Sequence, residues 1–532
     1  MTSGSDCFTN APTSATDAAP ISAARRQLIL VAVCVALVLV VAGTTMLTVA
    51  LPDLARQLHA SQSQQQWIVN AYAVALAAML LPAGTLGDRY GRRATLLAGI
   101  AIFGITAAVS VVVTSPASLI GLRVLSGVGA ALIMPGTLST ITSVFPAQER
   151  ARAVAVWSGF AGAGGVLGLV GSGALLERFW WGSIFVVIGA LAAIAWVATF
   201  VIVPATSDPD APRVDVVGSL LSVLAIGGLV LGVTEGPQRG WADPLTLAGL
   251  IGGMVALGAF VVAGLRADEP LLNPRLFRNR GFTAGSVSVF LQFLAMMGFF
   301  FITLQYLQLV LGYGTLKAAF AIVPLVVGMM PASTAAARLS DRFGPRFVGA
   351  TGLGISAVGF VWLARLTVAS SYLPFLVGML LVGVGLGLGM TPATNSIVDS
   401  MPRAKQGLAS AVNDTSRELG AAFGIAIIGS VFNAGYRSHI AGSLGGLPVA
   451  VAGAAKQSPA AALQVAGRLG PNGSSLAHSA RSAFVSGQHQ ALLIGAAALV
   501  VGVVFLLLRG APVPEDAFDD WEDAGLELDA VA

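Results

Sequence analysis

Apolar residues occur along this chain in long runs that are separated by short polar segments. The first run, QLILVAVCVALVLVVAGTTMLTVAL, occupies 27–51, and many similar runs follow it. A helix of about 20 apolar residues is long enough to cross the hydrocarbon core of a bilayer. Membrane-spanning strands would instead alternate apolar and polar residues, and the runs show no such alternation. The pattern therefore predicts an all-α polytopic membrane protein.

Fourteen runs fit this description, so we predict fourteen transmembrane helices. Their limits are 27–51, 66–86, 94–113, 117–143, 153–175, 182–203, 216–234, 244–264, 282–311, 317–337, 347–366, 371–397, 407–433 and 488–508. Lys and Arg are about twice as frequent in the segments on the side of the chain ends as in the other segments. Because positively charged loops stay in the cytoplasm, both termini are predicted to be cytoplasmic, in a multi-pass protein of the inner (plasma) membrane.

The overall composition narrows the classes of function. Hydrophobic residues make up 56% of the chain and charged residues only 10%, whereas soluble domains carry about 25% charged residues. Basic residues are scattered among short loops, which argues against a nucleic-acid partner. The two cysteines, Cys7 and Cys34, and the four histidines show no metal-ligand spacing. The chain has no P-loop, no G-x-S-x-G turn and no H-E-x-x-H pair, so we expect no enzyme, no metal and no cofactor.

A ten-residue motif occurs twice. GTLGDRYGRR at 84–93 follows the second run, and ARLSDRFGPR at 337–346 follows the tenth. Internal repeats of this kind indicate a transporter of two similar helix bundles, with a substrate cavity at their interface and a rocking motion. The predicted organisation is a disordered cytoplasmic tail (1–24), a six-helix bundle (25–204), an inserted two-helix segment (205–266), a second six-helix bundle (267–510) containing an external loop (434–487), and an acidic cytoplasmic tail (511–532).

The repeated motif resembles the signature loop of the major facilitator superfamily. Other runs resemble its fourteen-span drug:proton antiporter branch, which includes multidrug and quaternary-ammonium exporters, and the resemblance extends over nearly all of 25–510. It implies the major facilitator fold with two inserted helices and a proton gradient as the energy source. We therefore expect a proton-coupled exporter of small hydrophobic compounds, either many drugs or one antibiotic. The expected partners are the lipid bilayer, the substrate and protons, and the expected oligomeric state is a monomer.

The motif carries the first group of candidate site residues. In the family, its Asp and Arg residues contact the cytoplasmic ends of neighbouring helices and stabilise the outward-open state. The resemblance implies that Asp88 pairs with Arg89 or a neighbouring helix end, and that Arg92 reaches a facing acidic group. Alternatively, the arginines only keep the loop in the cytoplasm. The predicted latch comprises Asp88, Arg89, Arg92, Arg93, Asp341 and Arg342.

Ionisable residues inside the apolar runs form a second group, because a charge in a membrane costs about 2.5–3.5 kcal/mol on the insertion scale. Arg123 lies in LIGLRVLSGVGAA, 119–131, which resembles a family motif whose Arg is implicated in proton transfer. Alternatively, Arg123 extends to the outer interface. The stretch NDTSREL places Asp414, Arg417 and Glu418 on one helical face. Glu418 is the expected proton carrier, and the alternative is a purely structural ion-pair group.

A third group comes from two runs rich in Gln, Met and Phe, which would form an adaptable apolar wall with a few polar groups. This predicted substrate cavity contains Gln292, Met296, Phe299, Gln305 and Gln308.

The fifth run is rich in glycine and resembles the family's antiporter motif, in which glycines allow close helix packing. The predicted packing residues are Gly162, Gly164, Gly168 and Gly173. The chain departs from the family pattern at two positions: Leu169 replaces a proline of this motif, and Gly43 stands where many exporters of drug cations carry Asp. The first departure keeps open a facilitator or symporter, and the second favours neutral or anionic substrates.

Overall fold

A computed structural model describes residues 22–58, 60, 62–205, 215–402, 405–445 and 448–509. These residues form α-helices and no strand. The helices are α1 Ala23–Gln57, α2 Gln62–Tyr90, α3 Arg92–Ser110, α4 Pro116–Val144, α5 Ala147–Leu176, α6 Ser183–Ile202, α7 Val216–Arg239, α8 Pro244–Arg266, α9 Arg280–Gln305, α10 Thr315–Phe343, α11 Pro345–Ala364, α12 Tyr372–Asp399, α13 Gln406–Ile440, α14 Val449–Gln457, α15 Pro459–Arg468 and α16 Ser474–Arg509.

Fourteen helices within this described part, α1–α13 and α16, are long and apolar enough to cross a membrane. The predicted number of membrane helices is therefore confirmed. Because α1 and α16 are the first and the fourteenth, α1 begins and α16 ends on the same face of the protein, which we call the N-face. The predicted tails 1–24 and 511–532 lie outside the described residues, except for residues 22–24 at the start of α1.

Helix packing repeats between the two halves of the chain. In the first half, α4 packs against α2 and α3, α1 against α5, and α3 against α6. In the second half, α12 packs against α10 and α11, α9 against α13, and α11 against α16 in the same way. Helices α1–α6 therefore form a first bundle, and α9–α13 with α16 form a second bundle, each around an apolar core. The predicted fold class is confirmed.

The inserted helices α7 and α8 pack closely against each other through glycines. A Cβ atom at Gly249 of α8 would lie 2.8 Å from the Gly232 nitrogen of α7, and one at Gly228 would lie 3.0 Å from the Gly249 carbonyl oxygen. Small residues at this spacing let two helix backbones approach in a membrane. Helix α7 also packs against α2 and α13.

The segment predicted as an external loop, 434–487, contains more helix than the sequence pattern indicated. Helix α13 continues to Ile440, α16 begins at Ser474, and α14 and α15 lie between them. The Tyr436 hydroxyl donates a hydrogen bond of 2.8 Å to the Ala455 carbonyl oxygen within a small apolar cluster. Alanine is the strongest helix former, so this Ala-rich segment is helical although it lacks a long apolar run.

Candidate functional site

Asp88 of the first bundle contacts the beginning of a helix in the second bundle. The Gly407 N–H donates to Asp88 Oδ1 at 2.9 Å, and the Leu408 N–H donates to Oδ2 at 3.1 Å. These N–H groups belong to the first turn of α13, where no earlier carbonyl group in the helix can accept them. The helix dipole also makes this end partially positive. Asp88 therefore caps a helix of the opposite bundle at the N-face.

Two glycines allow this contact. A Cβ atom at Gly84 would lie 2.6 Å from the Gly407 carbonyl oxygen, and a Cβ atom at Gly407 would lie 2.6 Å from Asp88 Oδ1. The turn that follows α2 contains Gly91 with φ of 97°, a backbone conformation that side chains disfavour. A Cβ atom at Gly87 would touch nothing within 4 Å. Of the glycines in the motif, Gly84 thus permits the close approach of α13 and Gly91 permits the turn, whereas a side chain at position 87 would meet no neighbour.

The arginines of the first motif mostly bind within their own bundle. Arg92 Nη2 lies 3.4 Å from Asp88 Oδ1, so it supports the capping carboxylate. Arg93 donates to the Phe200 carbonyl oxygen and lies 4.9 Å from the Phe200 ring centroid, which joins α3 to α6. Arg89 is half-buried at the end of α2.

The second copy of the motif is placed differently. Asp341 and Arg342 are exposed, and Arg342 lies 5.3 Å from the Phe343 ring centroid. Asp341 has no ion pair among the described residues, so it does not reproduce the cap formed by Asp88. Instead, Arg150 at the start of α5 and Asp399 at the end of α12 form an ion pair of 3.5 Å between the bundles. The sequence analysis missed this pair.

A polar group lies in α13 between the two bundles. Asp414 and Arg417 are almost fully buried, and Arg417 Nη1 lies 3.5 Å from Asp414 Oδ1. The Asn413 amide also donates to Asp414 Oδ1 at 3.2 Å. The Arg417 guanidinium lies 4.9 Å from the Trp157 ring centroid of α5 and 4.7 Å from that of Phe293. Arg417 therefore connects the bundles through cation–π contacts, which partly compensate its burial.

Glu418 differs from Asp414 in its surroundings. It lies about 18 Å along α13 from the first residue of that helix, at 1.5 Å per residue. Its side chain is half-buried and has no hydrogen bond or ion pair with the residues that the structure describes. Its charged neighbours along α13 are Arg417, the preceding residue, and Asp414, one helical turn earlier. Glu418 is therefore the carboxyl group of this cluster that no bonded neighbour among the described residues holds.

Arg123 of α4 is buried inside the first bundle. Its Nε donates to the Ile68 carbonyl oxygen at 3.0 Å, and its guanidinium lies 4.1 Å from the Tyr72 ring centroid. Its Nη2 atom is buried without a hydrogen-bond partner in the described structure. The structure therefore places Arg123 beside Tyr72 of α2. This placement does not match extension to the outer interface.

The five residues of the predicted cavity lie in different local surroundings. Gln292 is buried in the second bundle, where its amide donates to Ser288 Oγ at 3.0 Å. Phe299 packs against Phe360 at 5.3 Å between ring centroids. The Gln305 amide donates to the Phe301 carbonyl oxygen at 2.9 Å. Met296, Gln305 and Gln308 are half-buried.

The glycines of α5 contact three different surroundings. A Cβ atom at Gly162 would collide with Met329 of α10, and one at Gly164 would lie 3.4 Å from the Val38 Cα atom of α1. One at Gly168 would lie 2.8 Å from the Ala42 carbonyl oxygen, whereas one at Gly173 would touch nothing within 4 Å. Gly162 thus permits contact between the bundles, and Gly164 and Gly168 permit contact within the first bundle.

The two departures from the family pattern have simple structural consequences. Helix α5 is continuous at Leu169, whose side chain packs against the apolar core of the second bundle. A Cβ atom at Gly43 would lie 3.1 Å from Phe103 Cζ. Position 43 therefore points into the first bundle, towards α3, and its influence on substrate charge stays a prediction.

The structure also reveals a buried acidic residue that the sequence analysis overlooked. Glu235 of α7 is 1% exposed, and its carboxylate accepts from Asn70 of α2 at 3.2 Å and from Arg239 at 2.6 Å. The available signal was an acidic residue at the end of an apolar run with an arginine four positions later, a spacing at which helix side chains meet.

Comparisons with known proteins give a consistent result. The profile of the Major Facilitator Superfamily matches residues 33–425. The chain is 37% identical over 477 residues to the multidrug efflux pump LfrA of Mycolicibacterium smegmatis, which covers 88% of this chain and 94% of LfrA. It is 31% identical over 503 residues to the tetracenomycin C resistance and export protein of Streptomyces glaucescens. This alignment covers 92% of this chain and 93% of the relative.

Solved structures with the same fold are more distant in sequence. The human organic anion transporter MFSD10 has a TM-score of 0.60 at 14% identity and covers 90% of this chain and 99% of its own. The proton:xylose symporter XylE has a TM-score of 0.59 at 15% identity and covers 92% of this chain and 97% of its own. At these identities the likeness concerns the fold alone.

Proposed function

The chain belongs to the major facilitator superfamily, and from this membership we propose that it exports small hydrophobic compounds in exchange for protons. Similarity to a multidrug efflux pump over 88% of the chain supports export as the direction of transport. The N-face is proposed to be cytoplasmic and the membrane to be the bacterial plasma membrane. The protein is proposed to work as a monomer, with the proton gradient as its energy source and without a cofactor or an enzymatic activity.

The observation that carries proton coupling is the pair of contrasting carboxyl groups in α13. Asp414 is held by Arg417 and Asn413, whereas Glu418 has no bonded partner among the described residues. In the proposed cycle, Glu418 takes a proton in one orientation of the bundles and releases it in the other. Arg417 precedes Glu418 in α13 and would influence when the proton leaves.

The contacts at the N-face support alternating access. Asp88 with the start of α13, and Arg150 with Asp399, join the bundles at that face. These contacts must break for the N-face to open, so they set the balance between two conformations of the protein. The proposed latch is therefore asymmetric, because Asp88 contributes to it and Asp341 does not.

A facilitator or a symporter of a small metabolite is the second candidate function. The continuous helix α5, which has Leu169 in place of the proline of the antiporter motif, favours it. Both candidates use the same fold, so they are separated by whether protons move with the compound and in which direction.

Inside-out vesicles with an acidic interior would test the two functions. A panel of cationic, neutral and anionic hydrophobic compounds is added, and a fluorescent amine reports the pH gradient. Antiport predicts that an accepted compound causes protons to leave the vesicle. Compound flux without proton release would instead support a facilitator. Compound uptake accompanied by protons moving in the same direction would support a symporter.

The close approach of α2 to α13 at Gly84 leads to a further prediction about the latch. Gly84→Ala is expected to lower the transport rate about tenfold or more, because overpacking costs about 1–3 kcal/mol and the new Cβ collides with α13. Gly87→Ala is the matched control, since its Cβ meets nothing within 4 Å. Both changes favour helix formation in α2 equally. Similar transport rates for the two variants in vesicles would contradict this role of Gly84.

A further inference from the structure

In the part of the chain that the structure describes, two seams join the bundles, and an inserted helix packs against one of them. Helices α2 and α13 form the first seam, and α5 and α10 form the second. Helix α7 packs against both helices of the first seam. On the two helices of the second seam, large apolar side chains such as Phe160 of α5 and Val327 of α10 are exposed.

A buried polar contact attaches α7 to α2. Glu235 Oε1 accepts a hydrogen bond of 3.2 Å from the Asn70 amide, and Oε2 accepts one of 2.6 Å from Arg239 Nε. Eight residues along α7, a Cβ atom at Gly227 would lie 3.2 Å from the Ala78 Cβ of α2. The Arg239 partner lies on α7 itself, so the Asn70 hydrogen bond is the polar link to α2. A hydrogen bond to a charged group is stronger than a neutral one, and breaking it would leave a buried donor and acceptor unsatisfied.

The contact of α7 with α13 has a different chemistry. Ile226 and Val230 of α7 are buried in the core of the first bundle, and Leu419 and Ala422 of α13 pack against this core. Among the described residues, no hydrogen bond or ion pair joins α7 to α13. Apolar surfaces without directional bonds can slide past each other at a much lower cost than bonded ones.

We propose that α7 covers the α2–α13 seam and that Glu235 fixes α7 to the first bundle. Helix α13 then slides beneath α7 during transport. Glu235 and Asn70 are positioning residues in this view, because they act by holding the inserted helix pair against α2. The inference rests on the proposed alternating access for the sliding of α13, whereas the attachment of α7 to α2 does not depend on it.

Distances between spin labels test the proposal in the full chain, after Cys7 and Cys34 are replaced by Ser and Ala. Labels are placed at three exposed positions near the N-face, on α6, α7 and α16 respectively: Val201, Val217 and Leu508. The Val201–Leu508 pair reports the separation of the bundles, which Asp88→Asn is expected to increase. The Val217–Leu508 distance should then increase with it, while the Val217–Val201 distance stays unchanged. An unchanged Val217–Leu508 distance beside an increased Val217–Val201 distance would overturn the proposal.

The attachment has its own test with the Val217–Val201 pair. Glu235→Leu removes both acceptors and should broaden this distance distribution, whereas Glu235→Gln keeps an acceptor for Asn70 and should broaden it less. Equal, narrow distributions in both variants would show that Glu235 does not fix α7. If the Val201–Leu508 distance never changes, alternating access is the part that fails, and the Glu235 variants still decide whether α7 is attached.

Discussion

Asp88→Asn is expected to lower the transport rate about tenfold or more at unchanged protein abundance, because the latch at the N-face weakens. Asp88 accepts N–H groups of Gly407 and Leu408 with its two oxygens. An Asn side chain has one acceptor oxygen, and its NH₂ group would face a second donor. Hydrogen bonds to a charged group contribute about 1.5–3 kcal/mol each. A loss of this size shifts the conformational equilibrium by about ten- to a hundredfold.

The second copy of the motif supplies the matched control for this experiment. Asp341→Asn makes the same chemical change in the same sequence context, but Asp341 is exposed and caps no helix among the described residues. Its transport rate is expected to remain close to that of the unmodified protein. Rates are measured in inside-out vesicles at matched protein content. Equal losses in the two variants would mean that the motif acts through its charge alone and not through the contact with α13.

Glu418→Gln is expected to abolish proton release that depends on an added compound, while downhill movement of that compound continues. Gln has nearly the size of Glu but carries no proton that can be exchanged near neutral pH. The pH gradient and the compound flux are followed in the same vesicles. Proton release that persists in this variant would exclude Glu418 as the carrier.

Asp414→Asn is expected to act differently, because Asp414 is the ion-pair partner of a buried arginine. Removing one member of such a pair destabilises a protein by about 3–5 kcal/mol, so the abundance of the folded protein should fall. The double variant Asp414→Asn/Arg417→Gln should recover part of this abundance. These results would assign a structural role to Asp414, whereas Glu418, one helical turn away, remains the candidate proton carrier.

The membrane helices and the two-bundle fold followed from local features of the chain. Each apolar run is long enough to span a bilayer by itself, so its identity as a helix does not depend on the rest of the protein. The repeated motif indicated the duplication, which the repeated packing of α4 and α12 displays. The prediction was less complete at 434–487, where alanine favours helix without forming an apolar run.

The site residues were identified by residue type, and their roles remain predictions. Sequence indicated Asp414, Arg417 and Glu418 because charges within apolar runs are costly, and Asp88 because it belongs to the repeated motif. It could not distinguish Asp414 from Glu418, since that difference depends on which partner each carboxylate reaches. It also treated Asp341 as equivalent to Asp88, because the two motifs read alike.

What the sequence by itself determined is therefore the membrane location of the chain, its helix count and its duplication, all of which depend on the length and order of apolar runs. Tertiary structure alone decided that Asp88 reaches the Gly407 N–H, 319 residues away along the chain. It also decided that Glu235 attaches α7 to α2. The physical reason is that hydrophobic burial in a bilayer is non-directional and acts on each segment locally. A hydrogen bond, in contrast, requires two groups within about 3 Å, which only the packing of helices provides.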